Sequence, residues 1–320
     1  MDKIKLNSSD YLLIQLLDKN SRSTLRELSS KLQLSKTACS KKIAKLEKNN
    51  IVSYISVVDY YALGQQNIHI YFKLKKINSS ELESKLNQIS QIKEIVWLTK
   101  LFGQYDLGIS ILYYDLFTIN DVVTKIYSIL ENLILEETKQ LITSQVIQSF
   151  IYKGEGLVER DIVKLNFKSN PVKVSPAESK LINKISENSR FKYYKLAEYL
   201  NKDVKTVKKS LTRLRQEGVI RKYKLMIDYN KLGFTWYLCI LNLKKSCDVS
   251  KLITHFSRFD CIPYLSKTLS GDLIFDFLSK NSSELILFLE KLSDDFEEVI
   301  DYKVLVITDI FKLTETNVDI

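Results

Sequence analysis

The sequence predicts an α+β protein: two copies of a winged helix-turn-helix domain, each followed by a ferredoxin-like βαββαβ domain. Three observations carry this. The chain repeats itself. Within each copy the apolar spacing changes from helical to alternating. The positive charge collects in the first part of each copy.

The repeat fixes the organisation. Asn20-Ser21-Arg22 returns as Asn188-Ser189-Arg190. At that offset Leu13-Ile14 meets Leu181-Ile182, Leu28 meets Leu196, Leu32 meets Leu200, Lys41 meets Lys209 and Leu46 meets Leu214. After a one-residue insertion Asp59-Tyr60 meets Asp228-Tyr229, and Leu63-Gly64 meets Leu232-Gly233. A period of domain size marks a duplicated module and not a solenoid, so one chain carries the equivalent of a dimer. The expected domains are 1–64 (winged helix-turn-helix), 65–150 (ferredoxin-like), a linker over 151–174, near which Gly154, Gly156, Pro171 and Pro176 cluster, then 175–233 and 234–320 as the second pair.

In each copy the first 45 or so residues read as three helices. Asp10–Asp18 spaces Leu12, Leu13, Leu16 and Leu17 helically. Its counterpart starts at Ser175-Pro176-Ala177-Glu178, a capping box with proline at the first helical position. Thr24 with Glu27 is a second capping box, opening Leu25–Lys31; the partner helix is Tyr193–Leu200. After a tight turn, Ser35 and Asp203 are the natural N-caps of a third helix, 36–48 and 204–216. Cys39, Ile43 and Leu46 form its inward stripe in copy one, and Val207, Leu211 and Leu214 in copy two. The outward faces are basic: Lys36, Thr37, Ser40, Lys41 and Lys45, against Lys205, Lys208, Lys209, Thr212 and Arg213. Two helices joined by a tight turn, the second basic and outward, is the helix-turn-helix plan, which lays that second helix in the major groove of DNA. Alternating residues follow at 51–59 and 218–228 and predict a hairpin wing. In copy two the wing would bring Arg221, Lys222 and Lys224 to phosphate, so copy two is expected to be the stronger DNA binder.

The second part of each copy reads β-α-β-β-α-β. In copy one the elements are Ile68–Leu74, Ser79–Ile89 (started by Ser79 or Ser80), Ile92–Leu101, Leu107–Tyr113, Phe117–Leu130 and a long strand within Glu136–Phe150. In copy two they are Trp236–Leu243, Ser250–Phe259, Ile262–Leu269, Leu273–Leu278, Ser283–Phe296 and Val299–Phe311. This is the split βαβ plan, an antiparallel sheet with two helices on one face. Its other face is free to pair with a second sheet.

Charge and composition bound the function. Residues 1–64 hold 11 basic and 6 acidic side chains, a net +5, and residues 175–233 hold 15 and 6, a net +9. Residues 65–150 and 234–320 carry −1 and −5. A basic module beside a neutral or acidic one is the footprint of a polyanion binder joined to something else. The four cysteines are isolated, and His69 and His255 are the two histidines, so clustered zinc ligands are missing and a reducing cytosol is expected. No apolar run approaches the roughly 20 residues of a membrane span, and residues 1–10 are polar, so a cytoplasmic protein without membrane contact is expected. Phosphate-cradling loops, dinucleotide glycine patterns and metalloprotease motifs are lacking. The chain is therefore expected to be no enzyme and to need no cofactor.

These motifs resemble the Lrp/AsnC (feast/famine) family of prokaryotic transcriptional regulators, over nearly the whole chain, twice. The matching stretches are Asn20-Ser21-Arg22, Leu34-Ser35-Lys36-Thr37, Ile43 with Leu46-Glu47, and in copy two Glu217-Gly218-Val219-Ile220 with Asp228 and Leu232-Gly233. Gly103-Gln104-Tyr105-Asp106 resembles the family's Gly-x-Tyr-Asp turn, of which copy two keeps Gly271-Asp272. The resemblance implies dimerisation through the ferredoxin-like (RAM) unit and binding of an amino-acid-like effector near that turn. From the residues alone, the turn reads as a tight β-connection in which glycine supplies positive φ and aspartate a local bond. The expected function is a sequence-specific DNA-binding regulator acting on double-stranded DNA as a fused pseudo-dimer. The alternatives are an enzyme of the siroheme decarboxylase type, which resembles the same family, and an architectural DNA protein without sequence preference. Acid/base chemistry would call on His69 or His255, each read as a structural histidine.

Overall fold

The apolar stripes and caps named above form their helices in the computed structural model, which describes residues 6–150 and 161–314. Copy one opens with α1 (Ser8–Lys19), α2 (Leu25–Leu32) and α3 (Lys36–Lys48), then β1 (Val52–Val58). Its ferredoxin-like part is β2 (Gln66–Leu74), α4 (Ser79–Ser90), β3 (Ile95–Phe102), β4 (Leu107–Tyr113), α5 (Leu116–Leu130) and β5 (Ile134–Gln148). Within the stretch read as linker, Ile162–Asn166 forms a strand, β6, paired with β5. Copy two follows as α6 (Pro176–Glu187), α7 (Tyr193–Leu200), α8 (Val204–Gln216), β7 (Ile220–Ile227), β8 (Thr235–Leu243), α9 (Val249–Phe256), β9 (Tyr264–Thr268), β10 (Leu273–Ser279), α10 (Ser282–Asp295) and β11 (Val299–Leu313).

The caps are where the side chains put them. Thr24 and Glu27 exchange bonds across the first turn of α2, and Ser175 and Glu178 do so at α6, with Pro176 just inside. Ser35 caps α3 and Asp203 caps α8. The expected cap of α4 shifts by one: Asn78, and not Ser79 or Ser80, accepts from the Ser80 amide. Both turns between second and third helix pass through a left-handed residue, Gln33 at φ 53° and Asn201 at φ 49°.

The expected wings are absent as hairpins. The residues 51–59 and 218–228 each supply one strand, β1 and β7, and these pair antiparallel with each other, Tyr54 opposite Leu225 and Ser56 opposite Tyr223. After Val58 the chain enters a 3-10 turn at Tyr60–Leu63, so no return strand forms within the copy. Strand alternation cannot distinguish a hairpin from a strand paired with a distant copy.

This pairing interlocks the two copies. α1 packs on β7 and α6 on β1, each helix against the other copy's strand. One core therefore joins Leu13, Leu17, Leu28 and Leu46 to Leu225, Ile227 and Tyr229. Another joins Val58, Ala62 and Leu63 to Leu181, Leu196, Leu211 and Leu214. The duplicated Asn-Ser-Arg turns meet at the pseudo-twofold axis, with Ser21 Oγ and Ser189 Oγ 2.5 Å apart. Arg22 donates to the Ser189 carbonyl and stacks on Tyr223 at 5.4 Å; Arg190 stacks on Tyr54 at 5.0 Å.

The ferredoxin-like sheets also merge. Their strand order runs β2-β4-β3-β11-β8-β10-β9-β5, and β5 pairs back onto β2. Eight antiparallel strands thus close on themselves. The long strands β5 and β11 make the joins: β11 pairs with β8 through Val306, then with β3 from there on, and β5 passes from β2 to β9 at Ile142. Helices cover the outside, where Ile70, Phe72, Leu98, Ile109, Val122 and Ile126 form one core and Phe256, Phe275, Leu285 and Leu289 lie in the other. The opposite faces of both sheets look into the barrel.

Candidate nucleic-acid interface

The third helices α3 and α8 hold their places because their inward stripes are buried: Cys39 and Leu46 at 0%, Val207 at 1% and Leu214 at 0% exposed. That leaves the outward faces to solvent. Lys36, Thr37, Ser40, Lys41 and Lys45 are exposed on α3, and Lys205, Lys208, Lys209 and Thr212 on α8. Lys45 also lies 3.6 Å from the buried Asp10, which Lys42 meets at 2.6 Å. Asp10 is thereby neutralised: burial pushes its carboxyl up, but the Lys42 ammonium and the Asn7 amide outweigh it and hold it below the usual range. Lys208 sits 5.3 Å over the Tyr193 ring.

Of the residues expected at DNA, Lys222 and Lys224 are buried, while Arg213 and Arg221 pair with acids and stay open to solvent. Arg213 is tied to Glu178 at 2.6 Å and to the Lys173 carbonyl at 2.8 Å. Arg221 lies 3.6 Å from Asp59. Lys222 is buried, donates to Ser149 Oγ at 2.6 Å and pairs with Asp161 at 3.0 Å. Lys224 is 1% exposed, 3.9 Å from the fully buried Asp18. Burial of Lys222 and Lys224 corrects the expectation that these two meet phosphate, whereas Arg221 stays exposed. The physical reason is the β1–β7 pairing, which places β7 between the two copies. Burial of Lys222 and Lys224 takes away two of the four extra charges, +9 against +5, that favoured copy two as the stronger binder. Arg215, exposed on the last turn of α8 and 5.7 Å from the Tyr223 ring, was missed; the spacing Lys208, Thr212, Arg215 signals it.

The turns expected to hold an effector are internally satisfied. Asp106 accepts from the Leu74 amide at 2.8 Å and from Lys73 at 3.1 Å. Tyr105 is buried, bonded to Thr138 Oγ1 at 2.7 Å and stacked on Tyr71. Gly103 adopts φ 141° where a Cβ would meet Leu305 at 2.9 Å, and Gln104 is left exposed. In copy two Gly271 takes φ 93°, and Asp272 accepts from the Leu243 amide at 3.2 Å and from Ser270 at 2.6 Å. Both aspartates therefore staple a turn to the neighbouring strand.

The two histidines part company. His255 lies among Phe256, Phe259 and Phe296 on α9. His69 points into the barrel, bonded to the Tyr71 hydroxyl at 3.2 Å, and burial pushes it down to about 4. No helix of the described residues is long and apolar enough to cross a membrane. Among those residues no group of three His, Cys, Asp or Glu could hold a metal ion.

Comparison with known proteins fits this geometry. A family of winged helix-turn-helix DNA-binding domains matches residues 6–53, which span α1 to the start of β1. An uncharacterised HTH-type transcriptional regulator of Pyrococcus horikoshii is 28% identical over 95 residues, 30% of this chain and 64% of that protein's own length. Another, from Pyrococcus abyssi, is 28% identical over 152 residues, covering 47% of this chain and 96% of the relative, which thus corresponds to a single unit. The crystal structure of the siroheme decarboxylase NirDL covers 96% of this chain and 93% of its own, with a TM-score of 0.62 at 15% identity. That likeness shows a common two-unit fold. It also removes the ground for expecting no enzyme, because a protein with this architecture from end to end is a decarboxylase. The helix-turn-helix match and the regulator relatives agree: residues 6–53 form a winged helix-turn-helix DNA-binding unit, and the chain is similar to HTH-type transcriptional regulators.

Proposed function

We propose that this protein is a DNA-binding regulator that reads two half-sites at once with α3 and α8. The observation that carries it is the fixed pair of solvent-facing basic helices, set on one pseudo-twofold axis by Ser21, Ser189 and the β1–β7 pairing. Lys41 and Lys209 take phosphate or guanine, while Thr37, Ser40 and Thr212 reach base edges or phosphate. Lys36, Lys45, Lys205, Lys208 and Arg215 add phosphate contacts that position the helices. Two such helices on one dyad suit half-sites about one helical turn, roughly 34 Å, apart. Because the outward faces differ in sequence, the half-sites differ too. Selection from a random duplex pool followed by footprinting tests this. Two unlike protected half-sites about 10 base pairs apart are expected; protection without sequence preference would instead mark an architectural DNA protein.

A second reading is catalytic, and the end-to-end architecture shared with siroheme decarboxylase favours it. Incubation with siroheme, followed by absorbance and release of carbon dioxide, tests that reading directly; an unchanged spectrum with no gas release rejects it.

A further inference from the structure

The barrel interior holds a hollow that neither α3 nor α8 approaches. Toward one end the interior is filled by Tyr71, Leu101, Tyr105, Ile240 and Leu305. Elsewhere the strands leave a cavity of about 110 Å³. A dry engineered cavity of about 150 Å³ holds benzene, so this space suits a ligand of a few carbons, and its polar walls favour a polar one.

The walls are asymmetric in a way that only a fused chain permits. In copy one His69 stands opposite Ser110 across the β2–β4 pair. The equivalent pair in copy two, across β8 and β10, is Leu238 and Asp276. A symmetric dimer would carry one set twice; here a serine has its counterpart in an aspartate. Asp276 lies mid-strand between Phe275 and Phe277, whose side chains face the helices. Its carboxylate faces the cavity with no lysine or arginine among the residues that line it. Lys224, beyond Tyr264, is taken by Asp18. The Trp236 indole N–H is the neighbour that eases the Asp276 charge, yet it makes no well-formed hydrogen bond. Around the same space stand the aromatic faces of Trp97, Trp236, Tyr60 and Tyr264. Gly108 lets Trp97 lie flat on β4, since a Cβ there would meet the ring at 2.8 Å.

The geometry points to a binding site inside the barrel for a small primary amine, its ammonium on Asp276 and its body between Trp97, Trp236 and Tyr264. Aromatic faces attract cations, and a carboxylate deprived of water gains from a mobile counter-charge. Anions and zwitterionic amino acids find no cationic partner on these walls. Of the groups that surround Asp276, His69 stays neutral above about 4, Tyr71, Tyr229 and Cys239 are held protonated by burial, and Tyr60 and Tyr264 are phenols. Between pH 5 and pH 8 the titration that matters is therefore that of Asp276, which burial pushes up to about 7.

The test uses the full chain without DNA, so its failure leaves the DNA reading standing. The chain has 2 tryptophans, Trp97 and Trp236, and both line the cavity, so intrinsic fluorescence reports on it directly. At pH 8, n-butylamine is expected to bind saturably. Butanol, butyrate and leucine should bind at least tenfold more weakly, and Asp276→Asn should weaken the amine at least tenfold while keeping a cooperative melt. The affinity of the native chain should fall as pH drops from 8 to 5. No saturable amine binding, equal binding of butanol, or an Asp276→Asn chain that binds normally overturns the site. Should that variant not fold, an affinity of the native chain that stays level from pH 8 to pH 5 overturns it.

Discussion

Lys224 shows how far a single side chain can stray from its sequence appearance. In Arg221-Lys222-Tyr223-Lys224 the charges alternate like a solvent face, yet Lys222 and Lys224 are both buried, because the other copy covers the strand. Asp18 holds the arrangement: its two oxygens accept from the Leu225 amide at 3.2 Å and the Phe150 amide at 2.8 Å, with Lys224 close by. Asp18→Ala would take the carboxylate from a buried ammonium and the acceptor from two amides, and should cost about 3–5 kcal/mol in urea unfolding. Exchanging both partners for leucine and methionine should cost clearly less. Asp276 makes an opposite prediction. Its pKa of about 7 in the fold exceeds the ordinary 3.8, so the native state binds the extra proton and stability falls as pH rises from about 4 to about 7. Asp276→Asn should match the native chain near pH 4 and exceed it at pH 8, by on the order of 4 kcal/mol. His69 works the other way, its stabilising effect disappearing as pH falls from 6.5 toward 4. A melting series from pH 4 to pH 8 separates the two, and an Asp276→Asn chain no more stable at pH 8 would refute the buried-charge account.

At the scale of elements, helices and caps were legible because their signals are local. Ser35, Asp203, Thr24 and Glu27 act within one turn, and the inward stripes of α3 and α8 fall where spacing puts them. The β-α-β-β-α-β order was equally legible. What sequence could not show was the partner of β1, since a strand pattern names a face and not a neighbour. For the same reason Asp276 passed unnoticed, although an aspartate alternating with Phe275 and Phe277 was its signal. On α8, Lys209→Ala and Lys205→Ala should each lower the salt slope of DNA binding by about 1, with little effect on melting. Arg213→Ala should instead lower stability, since it frees Glu178, and leave the salt slope nearly unchanged. With Lys222 and Lys224 buried, stripping Lys36 and Lys41 from α3 should cost DNA affinity comparable to stripping Lys205 and Lys209 from α8.

For the whole molecule, the repeat describes an interlocked pair whose halves complete each other's cores. Residues 1–150 lack β7 and the strands β9 and β11 that close the barrel. Expressed alone, that half should form no stable monomer, whereas co-expression with residues 161–320 should restore one co-eluting species. Fusion also frees the copies to differ, as Ser110 and Asp276 do, while the Asn-Ser-Arg turns stay alike because they meet each other on the axis. In the proposed function this built-in pair presents two basic helices to one duplex. Affinity for a selected duplex, measured from 50 to 200 mM salt, tests it most directly, in the native chain, in each single-helix variant and in the combined one. A steep log–log fall is expected, with a shallower slope in each variant and the shallowest in the combination. Affinity that is independent of salt, or slopes that ignore both helices, would contradict it.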